Sequence, residues 1–149
     1  MDVIDNFDGE FGFLSNFAEA DITVGKRVYK TIEHAFQALK TVNENDREKI
    51  HQSPTPGKAK RLGRKVTMRP NWDNLKTGFM LKLLKQKFSE PKFRELLINT
   101  GDVPLIEANH WHDNYWGDCR CSKCENKNGQ NVLGHLLMQV RDLLNKGQL

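Results

Sequence analysis

The sequence has no long apolar run, and this absence excludes a membrane-spanning helix. The longest apolar stretches of the 149 residues are a few residues long, as in GHLLM, whereas a span needs about 20 residues. The N-terminus, MDVIDNFDGE, has neither the basic region nor the apolar region of a secretory signal. We therefore expect a cytoplasmic protein that makes no contact with a membrane.

Cysteine is scarce, which excludes a fold held together by several disulfides. The three cysteines cannot all pair within one chain, so we expect reduced thiols or metal ligands. They form the pattern C-x-C-x₂-C at Cys119, Cys121 and Cys124, and His110 or His112 could complete the four ligands of a zinc site. Zinc sites usually show two separated pairs, so the spacing favours reduced cysteines in a loop. We predict no cofactor and no metal ligand among the functional residues.

Length, composition and charge favour one globular domain that binds an anion. A chain of 149 residues with 38% hydrophobic and 28% charged residues is typical of a single folded domain, here residues 1–149. The net charge of +4 suits a phosphate ester or a nucleic acid without requiring either. Lysines and arginines concentrate in GKAKRLGRKVTMR, which contains no acidic residue.

Hydrophobic periodicity predicts a mainly helical α+β domain with a small antiparallel sheet. A hairpin is predicted in ADITVGKRVYKT, with a two-residue turn at Gly25-Lys26. Caps and apolar spacing predict six helices, and VPLIEA reads as a strand, whereas residues 109–130 read as a loop. The predicted helices are TIEHAFQALKTV, ENDREKIHQ, TPGKAKRLGRK, residues 71–88, residues 91–101 and a C-terminal helix around residues 133–144.

The first predicted helix carries a carboxylate with two polar neighbours. Glu33, Gln37 and Lys40 are spaced i, i+4, i+7 and share a face that its apolar residues do not use. Such a face is usually a solvated stripe. The functional interpretation makes Glu33 a catalytic carboxylate that Gln37 or Lys40 orients, and the spacing leaves both interpretations open.

Two further stretches each have a structural and a functional interpretation. FGFLSNF is either a turn with packed aromatics or a ligand shelf that presents Ser15 and Asn16. The basic run beginning at Gly57 is either an ordinary surface or a phosphate cradle at a helix N-terminus. Its spacing is not that of a Walker loop.

The stretch HDNYWGD places aromatic rings beside carboxylates. Asp113 and Asp118 flank Tyr115 and Trp116, an arrangement that suits a site for a nucleobase and a sugar. The structural alternative is a buried tryptophan between two aspartates that cap turns.

An ordered set of motifs carries a family resemblance. From about residue 11 to residue 144 the chain resembles the NADAR family, the YbiA-like N-glycosidases. The resemblance depends on the order of the whole set, since no single motif decides it. The motifs are FLSNF, TIEHAFQALK, AKRLGR, NWDNLKTGFMLKLLKQKF, LINTG, LIEAN, DNYWGD and GQNVLGHLLMQVRDLL.

The resemblance implies the YbiA-like fold and hydrolysis of an N-glycosidic bond to ribose. Family substrates are phosphorylated ribosylamino-pyrimidine intermediates of riboflavin synthesis or ADP-ribose on guanine bases, including those of DNA. Glu33 would stabilise the oxocarbenium ion, and Asp113 would act as a second acid/base or orient the ribose. Trp72 and Trp116 would stack on the base or shape the pocket, and Arg64 with nearby lysines would hold phosphate. The expected substrate-binding residues are Ser15, Asn16, Phe17, Lys40, Arg64, Trp72, Trp116, Asp118 and Asn131.

The chain departs from the family pattern after DNYWGD. Relatives have a short glycine-rich loop there, whereas this chain has CRCSKCENKNG. The cysteines therefore belong to a loop beside the expected site. Two alternatives to an enzyme remain at this point: a module that binds ADP-ribose or nucleic acid without cleavage, and such a module stapled by zinc. The sequence does not indicate an oligomeric state.

Overall fold

The computed structural model describes residues 1–149 and confirms a predominantly helical α+β fold with a small antiparallel sheet. The chain forms two compact units, residues 16–87 and residues 1–15 with 88–149, which are described separately. The single-domain organisation stays a prediction. The elements are β1 (Glu19–Val24), β2 (Arg27–Thr31), α1 (Ile32–Leu39), α2 (Glu44–His51), α3 (Pro56–Gly63), α4 (Trp72–Ser89), α5 (Pro91–Ile98), β3 (Ala108–Asn109), β4 (Asp118–Cys119) and α6 (Val132–Asn145), with 3-10 helices at Gly9–Leu14 and Ser122–Cys124.

The predicted hairpin is confirmed. β1 and β2 are antiparallel, and Val24 pairs with Arg27 across the two-residue turn. Gly25 has φ +60°, a left-handed conformation that glycine adopts without steric cost, whereas Lys26 has negative φ. The hairpin buries Ile22 and Tyr29 completely.

Helix α1 is buried on every side. The Thr31 hydroxyl caps it by accepting the His34 N–H at 3.1 Å. β1, β2, α2 and α3 all pack around it, and all eight residues are buried. The interpretation of Glu33 and Gln37 as a solvated stripe is therefore wrong, because no face of α1 is left for solvent.

Ion pairs and close packing hold the neighbours of α1 in place. Arg27 of β2 donates to Glu44 at 2.8 Å and to Glu48 at 3.1 Å, which fastens α2 to the hairpin. On α3, a Cβ at Gly63 would overlap the Gln37 carboxamide. The close approach of α3 to α1 therefore favours glycine at this position.

The apolar face of α4 differs from the expected one. The sequence suggests a face through Leu75, Phe79 and Leu83. Leu75 is 39% exposed and Phe79 is half-buried, whereas Trp72, Met80 and Leu84 are buried with Leu83. No α-helix in the structure is long and apolar enough to cross a bilayer.

In the unit formed by residues 1–15 and 88–149, the expected strand VPLIEA is confirmed only at its last residue, Ala108, where β3 begins. Leu105 makes only an isolated bridge to Ile4. The Asn131 side chain uses the neighbouring backbone groups: it donates to the Leu105 carbonyl at 2.9 Å and accepts the Glu107 N–H at 2.9 Å. Strand pairing begins later, where β3 and β4 form a short parallel ladder.

Helix α6 and the segment after α5 are joined by a buried arginine. Arg141 donates from Nη1 to the Thr100 hydroxyl at 2.9 Å and to the Val103 carbonyl at 2.8 Å. Gly101, with φ +66°, follows α5 as its sequence predicts.

Replacing Gly63 with alanine is expected to destabilise the protein by about 1–3 kcal/mol, the usual cost of overpacking a filled core. The new methyl group would displace the Gln37 carboxamide, which lies against the glycine. Urea unfolding measures the change. Gly57→Ala is the matched control, because a Cβ there meets nothing within 4 Å and the position is also on α3. Equal free energies of unfolding for the two variants would contradict this packing.

The buried His34 predicts acid sensitivity. Its Nε2–H donates to the Ser53 carbonyl at 3.0 Å, which leaves Nδ1 to accept from the Thr31 hydroxyl at 2.8 Å. Desolvation lowers the pKa of His34 below its ordinary value of 6.5. On acidification, the His34 imidazole is therefore protonated at a higher pH in the unfolded chain than in the folded protein. The stability contributed by neutral, buried His34 is present above pH 6.5 and is lost as the pH falls through the folded-state pKa.

The measurement compares free energies of unfolding at about pH 8 and about pH 5. The wild type should lose more stability on acidification than His34→Gln, whose side chain cannot take up the proton. His135→Gln, at an exposed position on α6, should behave as the wild type does. An identical pH dependence for wild type and His34→Gln would remove His34 as the cause.

Candidate active site

Glu33 is a buried carboxylate in the first turn of α1. Only 7% of the residue is exposed. Its backbone N–H donates to the Asn16 carbonyl at 3.1 Å, and its Oε1 accepts from Gln37 Nε2 at 3.1 Å. The helix N-terminus favours negative charge. Thr31, Asn16 and Gln37 thus fix the position of Glu33, in agreement with the predicted orienting role of Gln37.

A group of cations accompanies this carboxylate. Lys40 follows the last turn of α1, and desolvation lowers the pKa of its ammonium. The Glu33 carboxylate opposes that shift, whereas the charges of Lys60, Arg64 and Lys76 add to it. One carboxylate and three further cations therefore act on the Lys40 ammonium. Such a group can bind an anion next to a carboxylate.

Asn16 of the expected ligand shelf contacts Glu33. Asn16 touches Glu33 through its carbonyl, and its Nδ2 donates to the Met80 sulfur at 3.7 Å. Its Oδ1 is buried and accepts no hydrogen bond. Phe17 is 45% exposed, and Ser15 ends the first 3-10 helix by donating its N–H to the Gly12 carbonyl.

Trp72 lies in an aromatic cluster. It is buried, its ring centroid lies 5.1 Å from that of Phe36, and it stacks on Phe79 at 6.0 Å. The Arg69 guanidinium lies over the Phe79 ring at 5.2 Å. Both predicted roles of Trp72, stacking on the base and shaping the pocket, stay predictions.

In the other unit, Asp113 organises the turn that carries the second predicted group. Its Oδ1 accepts the N–H groups of Tyr115 at 3.1 Å and Trp116 at 2.9 Å. The Tyr115 and Trp116 rings meet edge to face at 4.8 Å, and both are half-buried. Asn109 supports the turn by accepting the Asp113 N–H and donating to its carbonyl. Asp113 therefore has the turn-capping geometry of the structural interpretation.

Asp118 and Asn131 also bond to the backbone. Asp118 accepts the Gly129 N–H at 3.1 Å through Oδ1, and its Oδ2 accepts from Arg120. Asn131 joins α6 to Leu105 and Glu107, as described above. The substrate contacts expected of Asp113, Asp118, Asn131 and the other site residues stay predictions.

Sequence reasoning missed Lys76 and Asn109. Lys60 and Lys76 share the electrostatic environment of Lys40. Lys60 is one of the lysines near Arg64 that the resemblance implies, but Lys76 lies on α4 and has no local signal. Asn109 gave no signal either, because its role depends on how the loop folds back.

Comparisons with known proteins agree with this fold. The chain is 38% identical over 150 residues to N-glycosidase YbiA of Escherichia coli strain K12, which covers 97% of this chain and 90% of the relative. The solution structure of E. coli YbiA matches with a TM-score of 0.82 and 37% identity, over 99% of this chain and 88% of that chain. An N-glycosidase of Nostoc punctiforme is 38% identical over 138 residues, 89% of this chain and 85% of the relative.

A longer protein is similar over part of its length. A riboflavin biosynthesis protein of Vibrio vulnificus is 33% identical over 141 residues, which is 92% of this chain but 36% of that protein. The predicted enzyme class, a hydrolase of N-glycosyl bonds, is confirmed by the relatives that are named N-glycosidases. The family model for the NADAR domain matches residues 5–145, and the chain belongs to that family.

Proposed function

We propose that the protein hydrolyses the C1′–N bond between a base and the ribose of either a phosphorylated ribose or ADP-ribose. One observation carries the proposal: the buried carboxylate of Glu33 is held by Gln37 and interacts with the Lys40 ammonium, on which the charges of Lys60 and Arg64 also act. A cationic group that only binds anions gains nothing from a carboxylate beside it. A reaction that develops positive charge next to a phosphate needs both.

The carboxylate serves the transition state of this reaction. Cleavage of the C1′–N bond develops an oxocarbenium ion on the ribose, and Glu33 would stabilise that charge electrostatically. Its burial strengthens the interaction because little water screens it. The bond from Gln37 fixes the orientation of the carboxylate, which would face C1′ or the attacking water.

Other side chains would bind the rest of the substrate. The buried Asn16 Oδ1 has no donor in the protein and would accept from a ribose hydroxyl beside Glu33. Lys40, Lys60 and Arg64 would bind phosphate oxygens. Asp113 would orient the ribose or act as the second acid/base, with Trp116 against the base.

Two observations each favour a different class of substrate. The Vibrio vulnificus relative is named a riboflavin biosynthesis protein, which favours a phosphorylated ribosylamino-pyrimidine. A second feature favours ADP-ribosyl-guanine on DNA: a cleft of about 540 Å³ lined by Lys49, Lys58, Arg61 and Lys65. A polyanion beyond the reacting nucleotide could follow such a basic cleft.

Helix α3 separates these two sets of cations. Lys60 and Arg64 are spaced i, i+4 and act on Lys40. Lys58, Arg61 and Lys65 are spaced i, i+3, i+7 and line the cleft. One helix would therefore bind a small phosphate with one face and a nucleic-acid backbone with the other.

Glu33→Gln is expected to lower kcat by at least about 10²-fold, the usual effect of removing one electrostatic group from a transition state. The shape is kept while the charge is removed. Base release would be followed with a ribosylamino-uracil phosphate and with ADP-ribosylated guanine DNA. The control is Glu90→Gln, an exposed residue whose side chain caps no helix. If Glu33→Gln turned over at the wild-type rate on the substrate that the wild type cleaves, Glu33 would not be a catalytic residue.

The same assay separates an enzyme from a binding module. A module would bind ADP-ribose tightly, with binding dependent on Arg64, and neither substrate would release its base. An enzyme releases base from one of them, and its Glu33→Gln variant keeps ligand affinity in calorimetry.

Arg64→Ala and Arg61→Ala form a matched pair that separates the two faces of α3. Arg64→Ala should raise KM for a free ribose phosphate and for a DNA-borne substrate, because both carry the phosphate next to the ribose. Arg61→Ala should raise KM only for the DNA-borne substrate, and that effect should weaken with salt. An equal, small effect of Arg61→Ala on both substrates would assign the cleft no part in catalysis.

A further inference from the structure

We propose that His112, Cys119, Cys121 and Cys124 form a structural zinc site. Their candidate ligand atoms, one imidazole nitrogen and three sulfurs, all lie within 4.8 Å of one another. None of the three cysteines is in a disulfide. Three thiolates and an imidazole are a ligand set that zinc takes in structural sites, and soft sulfur ligands select against magnesium and calcium.

The distances fit a tetrahedral ion. With Zn–S of about 2.3 Å and Zn–N of about 2.0 Å, ligand atoms at tetrahedral corners lie about 3.5–3.8 Å apart. His112 Nδ1 lies 3.3 Å from Cys121 Sγ, 3.4 Å from Cys124 Sγ and 4.0 Å from Cys119 Sγ. All three sulfurs therefore gather around the same ring nitrogen, which faces the centre of the group.

The backbone around the cluster is arranged to present these ligands. His112 has φ +70°, a conformation that costs energy for a residue with a side chain. Its N–H donates to Cys119 Sγ at 3.3 Å. The 3-10 helix Ser122–Cys124 brings the last cysteine back, with the Cys124 N–H donating to the Cys121 carbonyl at 3.1 Å.

Asn114 supplies a second layer of support. Its Nδ2 donates to Cys124 Sγ at 3.4 Å, and its Oδ1 accepts the Cys119 N–H at 2.9 Å. Donors directed at sulfur stabilise thiolates, and such outer contacts tune metal sites. A loop of reduced, unligated cysteines has no need for this arrangement.

The site is closed and therefore structural. Cys119 and Cys124 are buried, Cys121 is half-buried and His112 is exposed. Four protein ligands leave no open position for water or substrate, unlike the three ligands of a catalytic zinc. The ion would fasten the loop after β4 to His112, which directly precedes Asp113. It would thereby stabilise the turn in which Asp113 binds Tyr115 and Trp116.

The cysteine pattern alone favoured unligated thiols because it shows one group and no second pair. The fourth ligand comes from before β4 and approaches only because that segment folds back through Asn109 and Asn114. The inference concerns the loop and does not depend on the proposed reaction.

The direct test is the full chain expressed with zinc and purified under reducing conditions. Elemental analysis should find about one zinc per chain, and X-ray absorption should find about three sulfurs and one nitrogen around it, at the distances usual for zinc. Thiols that stay free after zinc addition, or a coordination shell without sulfur, would overturn the proposal. This measurement on the wild type does not depend on whether any variant folds.

Variants then test each assigned role. His112→Ala should weaken zinc affinity by more than about 100-fold, whereas Asn114→Ala, which removes an outer contact, should weaken it by about 10-fold. His110→Ala is the matched control, since the neighbouring histidine is exposed and outside the cluster, and it should keep wild-type affinity. Equal zinc affinities for His112→Ala and His110→Ala would show that His112 is not a zinc ligand.

Metal removal gives a third readout. Chelation should lower the melting temperature and speed hydrogen exchange at the Tyr115 and Trp116 amides, which Asp113 binds, while the amides of α1 keep their protection. Unchanged exchange at both loop amides after complete zinc loss would exclude the stabilising role.

Discussion

The complete burial of α1 is the constraint on which the unit of residues 16–87 depends. A hairpin and two helices pack around an eight-residue helix, so its polar residues are largely removed from bulk water. A buried carboxylate is costly unless it is paired or hydrogen-bonded. Gln37, the helix N-terminus and Lys40 meet that requirement for Glu33. The fold accepts this cost at one position, which is characteristic of functional sites.

Local chemistry made most elements predictable. Thr31 and Thr55 cap their helices, Pro56 and Pro91 begin theirs, and the two-residue turn follows from Gly25. These signals act within four residues, so the sequence displays them directly. The helical α+β class followed from these elements, and the family followed from the order of the sequence motifs along the chain.

The errors have a common physical origin in contacts between distant residues. VPLIEA has strand composition, yet the Asn131 side chain occupies the backbone groups that a neighbouring strand would use. Leu75 fits a helical stripe but is exposed. The burial of Glu33 could not be read from its spacing, because an amphipathic pattern does not reveal a helix enclosed on all sides. The cysteine spacing left His110 and His112 as alternative fourth ligands, and only the folded loop brings His112 to the three sulfurs.

Helix α3 and the two residues after it present three rows of side chains, and each row has a different environment. Gly63 faces Gln37, Lys60 and Arg64 act on Lys40, and a third row faces the basic cleft. Each residue added to or removed from a helix rotates everything after it by about 100°. A one-residue deletion after Gly57 would therefore turn an arginine toward Gln37 and the glycine away from it. The segment should tolerate conservative replacements of its exposed residues, but its length is fixed.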